Sequence, residues 1–71
     1  MTALVPEVRM GNDIARQFSQ LDPDAAATAI AAHIDRFWDP RMRAVLHALV
    51  VAGDENLDPL LIAAEALLEA A

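Results

Sequence analysis

Three aspartate–proline pairs divide this 71-residue chain and limit the folds open to it: Asp22-Pro23, Asp39-Pro40 and Asp58-Pro59. An aspartate at the N-cap of a helix accepts a hydrogen bond from the first unpaired backbone N–H groups. A proline at the next position has no N–H to lose and already holds a helical φ angle. Each pair therefore predicts a helix start, and Pro6 followed by Glu7 predicts a fourth.

The helices predicted from these starts cover roughly residues 6–20, 23–38, 40–52 and 59–70, with Gly53 placed to end the third. No stretch alternates between apolar and polar residues with period two, so no strand is predicted. Loops of about two to six residues favour compact antiparallel packing. The sequence predicts an all-α fold, a small compact bundle of about four short helices in a single domain over residues 1–71.

Apolar residues recur at helical spacing in each segment and predict its buried face. The four predicted faces are Met10, Ile14, Phe18 and Leu21; Ala26, Ile30, His33, Ile34 and Phe37; Met42, Val45, Leu46 and Leu49; and Leu60, Ala64, Leu67 and Leu68.

The opposite sides of the last two helices also carry apolar residues. The third helix presents Ala44, His47, Ala48 and Val51, and the fourth places Ile62 among Glu65 and Glu69. Exposed apolar faces mark interaction surfaces. The alternative is that alanine is simply a neutral, strong helix former.

Composition excludes several classes of protein. The formal net charge is −6, which opposes binding to nucleic acid and to anionic membranes. Cysteine is absent, so the chain forms no disulfide and offers no thiolate to zinc or an iron–sulfur cluster. A core of this size rarely supplies more than ~3–5 kcal/mol. Stability must therefore come from well-packed helices or from a partner.

The start of the chain, Met1–Glu7, lacks the basic and apolar regions of a signal peptide. The longest apolar stretch, Ala44–Ala52, is interrupted by His47 and is too short to span a bilayer. These features predict a soluble, cytoplasmic protein.

The residues that catalysis would need are scarce. His33 and His47 are the only side chains that titrate near neutrality. His33 falls on an apolar stripe, which favours a hydrogen-bonded core or interface histidine, whereas His47 is expected to face solvent or a partner. The segment Asp54–Asp58 resembles a calcium loop but lacks its mid-loop glycine and terminal glutamate, which favours an acidic linker and N-cap. We predict no catalytic residue, no bound cofactor and no metal site.

The segment from His33 to Arg43 concentrates the residue types of binding hot spots. It holds the only tryptophan, one of two phenylalanines and three of five arginines. A helical wheel places Phe37 on the buried face and Trp38 at its edge. Arg41 and Arg43 occupy the first turn of the third helix, where the helix dipole disfavours cations, so their acceptors are expected elsewhere.

A partner-binding site is predicted here, formed by Arg36, Trp38, Asp39, Arg41, Arg43, His33 and His47. The alternative is that Trp38 fills the corner between two helices and that the arginines pair with Asp35, Asp39 or helix caps.

The string His33-Ile34-x-Arg36-Phe37-Trp38-Asp39-Pro40-Arg41-Met42-Arg43 resembles the signature of the delta subunit of cytoplasmic NAD-dependent formate dehydrogenases. The resemblance covers roughly residues 5–60. Upstream it includes Val8-Arg9-Met10, Asn12, Ile14-Ala15 and Phe18, and downstream Gly53 and Leu57-Asp58-Pro59-Leu60. Gly11 and Asp35 depart from it, because alanine and often a basic residue are expected there.

The resemblance implies a non-catalytic accessory subunit of a soluble oxidoreductase. In the family, the large alpha subunit carries a bis-molybdopterin guanine dinucleotide centre of molybdenum or tungsten and iron–sulfur clusters. The beta and gamma subunits pass electrons to FMN and NAD. The small chain would bind the alpha subunit and support assembly, cofactor insertion or stability.

Three alternatives stay open at this point. One is a dissociable maturation chaperone that aids cofactor insertion into the alpha subunit and is absent from the mature enzyme. Another is a helical DNA-binding regulator, which the net charge of −6 and the lack of a basic recognition helix oppose. The third is self-association through the apolar outer faces.

Overall fold

The computed structural model describes residues 5–70, which contain four α-helices: α1 (Pro6–Gln17), α2 (Pro23–Phe37), α3 (Pro40–Ala52) and α4 (Pro59–Ala70). Each helix begins at the proline predicted to start it. All regular secondary structure in this range is helical, so the fold class is an all-α small bundle. The predicted absence of a leader rests partly on Met1–Leu4, which lie outside the described residues.

Aspartate side chains cap three of the helices, as the Asp-Pro pairs predict. Backbone N–H groups of Ala25, Met42 and Leu60 donate to the carboxylates of Asp22, Asp39 and Asp58, at 3.3, 2.9 and 2.8 Å.

Helix α1 ends at Gln17, earlier than the predicted residue 20. The hydroxyl of Ser19 donates to the carbonyl of Arg16 at 2.9 Å. The backbone N–H of Ser19 bonds the same carbonyl in a tighter turn, at 3.3 Å. Serine competes in this way with the regular helical hydrogen bond, and the helix stops.

The loop between α3 and α4 is fastened to α1 by one side chain, Asn12. Its amide nitrogen donates to the carbonyl of Asn56 at 2.8 Å, and its oxygen accepts the backbone N–H of Asp58 at 2.9 Å. Gly53 opens the loop with a φ of 74°, a left-handed conformation that glycine adopts without a steric penalty. Asp54–Asp58 thus forms a linker and an N-cap.

The core lies mainly where α2 packs against α4, the most extensive contact between two helices. Helix α1 contacts the other three helices, and α3 contacts α4. The largest completely buried side chains come from all four helices: Val8, Ile30, Ile34, Leu46 and Leu61.

Gly11 allows α1 to approach α4 closely. A Cβ atom built on Gly11 would lie 2.6 Å from Cδ2 and 3.1 Å from Cδ1 of Leu61. Leu61 is completely buried and fills the space that a side chain at Gly11 would need. The departure from alanine at this position therefore has a packing reason.

The predicted position of Phe37 is wrong: its side chain is 64% exposed, whereas Trp38 is only 8% exposed. Phe37 is the last residue of α2, and the backbone N–H of Trp38 still donates to the carbonyl of Ile34 at 2.9 Å. Trp38 is therefore four residues beyond Ile34 on the same helical face. The larger indole occupies the core position, and the phenyl ring is left outside.

The predicted buried face of α1 is only half correct, because Met10 and Leu21 are exposed. Leu21 lies beyond the end of the helix, so helical spacing does not apply to it. The residues of α1 that the core buries are Val8, Gly11, Ile14 and Ala15.

In α4 the predicted face is rotated from the observed one. Leu67 is exposed, and the buried residues are Leu61, Ala64 and Glu65. Ile62 is exposed as predicted, but Glu65 is not on the outer side with it. The helix is apolar around most of its circumference, so its periodicity could not fix the buried face.

Candidate functional site: the α2–α3 corner and the α3–α4 cluster

The corner between α2 and α3 is built by two consecutive residues with different tasks. Trp38 adopts an extended backbone conformation (φ −93°, ψ 138°), which turns the chain away from α2. Asp39 then accepts the backbone N–H of Met42 and starts α3. The indole belongs to the core, as the alternative interpretation of the sequence holds. Both residues thereby hold the geometry of the corner.

The outer surface of the corner carries an aromatic–cationic patch formed by His33, Arg36 and Phe37. The rings of His33 and Phe37 have centroids 4.7 Å apart and are tilted by 43°. The guanidinium carbon of Arg36 lies 5.4 Å from the centroid of the Phe37 ring, within the range of a cation–π interaction. Phe37 is therefore exposed but held in place by neighbours from its own helix.

The arginines of the corner differ in their partners. Arg43 forms an ion pair with Asp35 at 3.3 Å, as one interpretation of the sequence predicts. Arg36 and Arg41 are exposed, and within residues 5–70 neither forms an ion pair. Both guanidinium groups are available to an outside carboxylate.

His47 lies away from this patch and contacts α4. Its Nδ1 is 2.7 Å from Oε1 of Glu65 and 3.7 Å from Oε2 of Glu69. The side chain of Glu65 is 5% exposed, whereas those of His47 and Glu69 are about half exposed. We call these three residues the His47 cluster. The hydrogen bond from His47 to Glu65 and the charge of Glu69 raise the pKa of His47 above its usual value.

An open cavity of about 270 Å³ lies beside the His47 cluster. It is lined by Pro40, Arg43, Ala44, His47 and Glu69. The uncharged outer face predicted for α3, which includes Ala44, His47, Ala48 and Val51, is exposed.

The predicted site residues are thus divided between several roles. His33 and Arg36 both contact Phe37 on the patch, and Arg41 is exposed in the first turn of α3 with no ion pair in the described range. Arg43 and His47 line the cavity, and Trp38 and Asp39 build the corner.

Sequence reasoning missed Phe37, Glu65 and Asn12 as residues that matter. Phe37 could have been found, since two adjacent aromatic residues at a helix end cannot both face the same core. The pairing of Glu65 with His47 joins residues 18 positions apart on different helices, and nothing in local spacing signals it. The hydrogen bonds of Asn12 join it to residues 44 and 46 positions away, and local spacing does not signal them either.

None of the four helices in the described range combines the length and the apolar character needed to cross a bilayer.

Comparison with known families gives one result that covers most of the chain. A family model described as the NADH-dependent formate dehydrogenase delta subunit FdsD matches residues 8–66. Comparison with curated proteins and with solved structures gives no match. The matched range includes the corner, the patch, all of α2 and α3 and most of α1 and α4. The chain therefore belongs to the family of NADH-dependent formate dehydrogenase delta subunits.

Proposed function

We propose that this chain is a non-catalytic accessory subunit of a soluble, cytoplasmic NAD-dependent formate dehydrogenase, in which it binds the large alpha subunit and supports its assembly or stability. Membership of the delta-subunit family supports this role. The structural observation that carries it is the exposure of Phe37 at 64%, between His33 and Arg36.

The patch has the properties of a docking surface. Aromatic residues and arginine are enriched at protein interfaces, and a few such residues supply most of the binding energy. Because His33 and Arg36 already restrain the Phe37 ring, little side-chain entropy remains to be lost on binding. The partner surface that fits is an apolar pocket for the phenyl ring, with carboxylates placed for Arg36 and Arg41.

The remaining predicted site residues contribute indirectly in this proposal. Trp38 and Asp39 hold the angle between α2 and α3, and Arg43 joins α3 to α2 through Asp35. These contacts hold the first turn of α3, which carries exposed Arg41, against the end of α2. The formate and NAD chemistry is assigned to the other subunits, and this chain supplies binding surface.

Co-expression with the alpha, beta and gamma subunits tests the role. With a tag on the small chain, the captured material is separated by size exclusion and assayed for formate-dependent NAD reduction. We expect the chain to elute within the active complex. Capture of inactive, cofactor-poor alpha subunit alone would instead identify a maturation chaperone. Elution of the chain by itself would contradict both roles.

A further inference from the structure

Beyond docking, we propose that His47, Glu65 and Glu69 bind one divalent transition-metal ion, which would bridge α3 and α4. These three residues form a group of potential metal ligands within residues 5–70. Their three ligand atoms lie within 4.8 Å of one another and come from two helices. The site is independent of the patch and of the docking role.

The ligand atoms lie close enough together for small side-chain movements to bring them around a common ion. Bonds from zinc to nitrogen or carboxylate oxygen measure ~2.1 Å, so two ligand atoms of one tetrahedral ion lie roughly 3.4 Å apart. The Nδ1 atom of His47 is 3.7 Å from Glu69, close to this separation, and 2.7 Å from Glu65, a hydrogen-bond distance that an ion would lengthen as it replaces the proton. The carboxylate oxygens of Glu65 and Glu69 lie within 4.8 Å of each other. Glu69 is half exposed and only one helical turn beyond Glu65, so rotation of its side chain can shorten that separation.

The donor set selects the class of ion. One imidazole nitrogen and two carboxylate oxygens suit zinc and neighbouring transition metals, whereas magnesium and calcium prefer oxygen ligands alone. Three protein ligands leave a fourth tetrahedral position for water. Half-exposed His47 and Glu69 border the open cavity of about 270 Å³, which gives an ion and its water a path from solvent.

Burial and charge at the cluster also favour a cation. The carboxylate of Glu65 is nearly inaccessible to water, and its hydrogen-bond partner is the half-exposed imidazole of His47. With neutral histidine the three side chains carry two negative charges close together. Arg43 borders the same cavity, but its guanidinium group is paired with Asp35 at 3.3 Å. A divalent ion would neutralise the carboxylates and replace the proton between His47 and Glu65.

The test uses the full chain, stripped of metal with a chelator, and zinc chloride as the probe at pH 7.5. Isothermal titration is expected to show one equivalent of Zn²⁺ bound, and the thermal midpoint is expected to rise with zinc concentration. Cobalt(II) in place of zinc is expected to give the visible absorption bands of a four-coordinate ion.

Two matched pairs of variants locate the site. Glu69→Gln removes an exposed ligand without touching the core, and we expect zinc affinity to fall about tenfold or more, while Glu55→Gln in the α3–α4 loop leaves it unchanged. His47→Gln is expected to abolish binding, and His33→Gln on the patch to preserve it. Circular dichroism checks that each variant is folded.

The proposal is overturned if the parent chain shows no saturable zinc binding with a dissociation constant below ~1 mM. It is equally overturned if Glu69→Gln and Glu55→Gln bind zinc alike, or if His33→Gln removes binding and His47→Gln does not.

Discussion

The α2–α3 corner and the His47 cluster contrast in how they use polar and aromatic side chains. At the α2–α3 corner, His33, Arg36 and Phe37 come from one turn of one helix and remain on the surface. Near the other side of the cavity, His47 and Glu65 come from different helices, and the carboxylate is buried. Contacts within one helix leave the surface open to a partner, whereas contacts between helices hold the bundle together. Substitutions at the corner should therefore separate binding from stability.

The largest effect is expected from Trp38→Ala, which tests whether Trp38 stabilises the core while the adjacent Phe37 does not. Removing a buried indole costs about 3–5 kcal/mol in the free energy of unfolding. A core of this size supplies little more than that, so the variant is expected to be largely unfolded. Urea denaturation followed by circular dichroism measures the change, and Phe37→Ala is the matched control, with a change within about 0.5 kcal/mol. Equal losses in the two variants would remove the distinction.

A smaller effect is expected for Arg36→Ala, which leaves Phe37 without its cation. Binding to the alpha subunit is expected to weaken by about 1–2 kcal/mol, roughly tenfold in the dissociation constant, because Arg36 has no ion pair in the described part of the chain. Arg16→Ala, which breaks an exposed pair with Asp13 on α1, is the control and should bind as the parent chain does. The dissociation constants are measured by surface plasmon resonance with the alpha subunit immobilised. Equal weakening by both variants would point to general electrostatic attraction rather than to the patch.

Gly11→Ala is expected to lower the free energy of unfolding by about 1 kcal/mol. Alanine improves helix propensity by up to ~1 kcal/mol. Against this, a Cβ atom 2.6 Å from completely buried Leu61 overpacks the core, which costs about 1–3 kcal/mol. Thermal denaturation measures the balance. In a Leu61→Val background, Gly11→Ala should lower the free energy of unfolding by less than it does in the parent chain. If Gly11→Ala alone stabilises the protein, α1 and α4 are not in tight contact.

The smallest effect is the pH dependence of stability at the His47 cluster. The pKa of His47 is raised in the folded state by the hydrogen bond to Glu65 and by the charge of Glu69. The stabilisation is thus fully present below the unfolded value of 6.5 and is lost as pH rises through the higher folded value. Arg43 lines the same cavity, with its guanidinium group paired with Asp35. Urea denaturation between pH 6 and 8.5, with chelator present, should show stability falling with pH.

His47→Gln is the control for this titration, since glutamine still donates a hydrogen bond but cannot take up a proton. Its stability should vary less with pH over the same range. The same slope in both proteins would show that His47 is not coupled to the carboxylates.

Local chemistry was enough to predict much of the fold. Proline at the first helical position and aspartate before it act within four residues, so Pro23, Pro40 and Pro59 could be identified as helix starts. Gly53 was predictable for the same reason, because a left-handed helix end depends on that residue alone.

Features that depend on packing between helices were harder to predict from the sequence. Helix α4 is apolar on most sides, so nothing local showed that Leu61 and Glu65, rather than Leu67, face the core. At the corner, composition identified the segment, but it did not show that Trp38, rather than Phe37, would occupy the core position. The ligand-like grouping of His47 with Glu65 arises only once α3 and α4 are packed together.

The central claim, that the patch around Phe37 is the docking surface, is tested most directly by comparing Phe37→Ala with Val51→Ala in binding to the purified alpha subunit. Both residues are large, apolar and highly exposed, at 64% and 72%, but Val51 lies on the uncharged outer face of α3. We predict that Phe37→Ala weakens binding by about 2 kcal/mol or more, roughly thirtyfold, while Val51→Ala binds as the parent chain does. Loss of binding in Val51→Ala with Phe37→Ala unaffected would contradict this account and place the docking surface on α3.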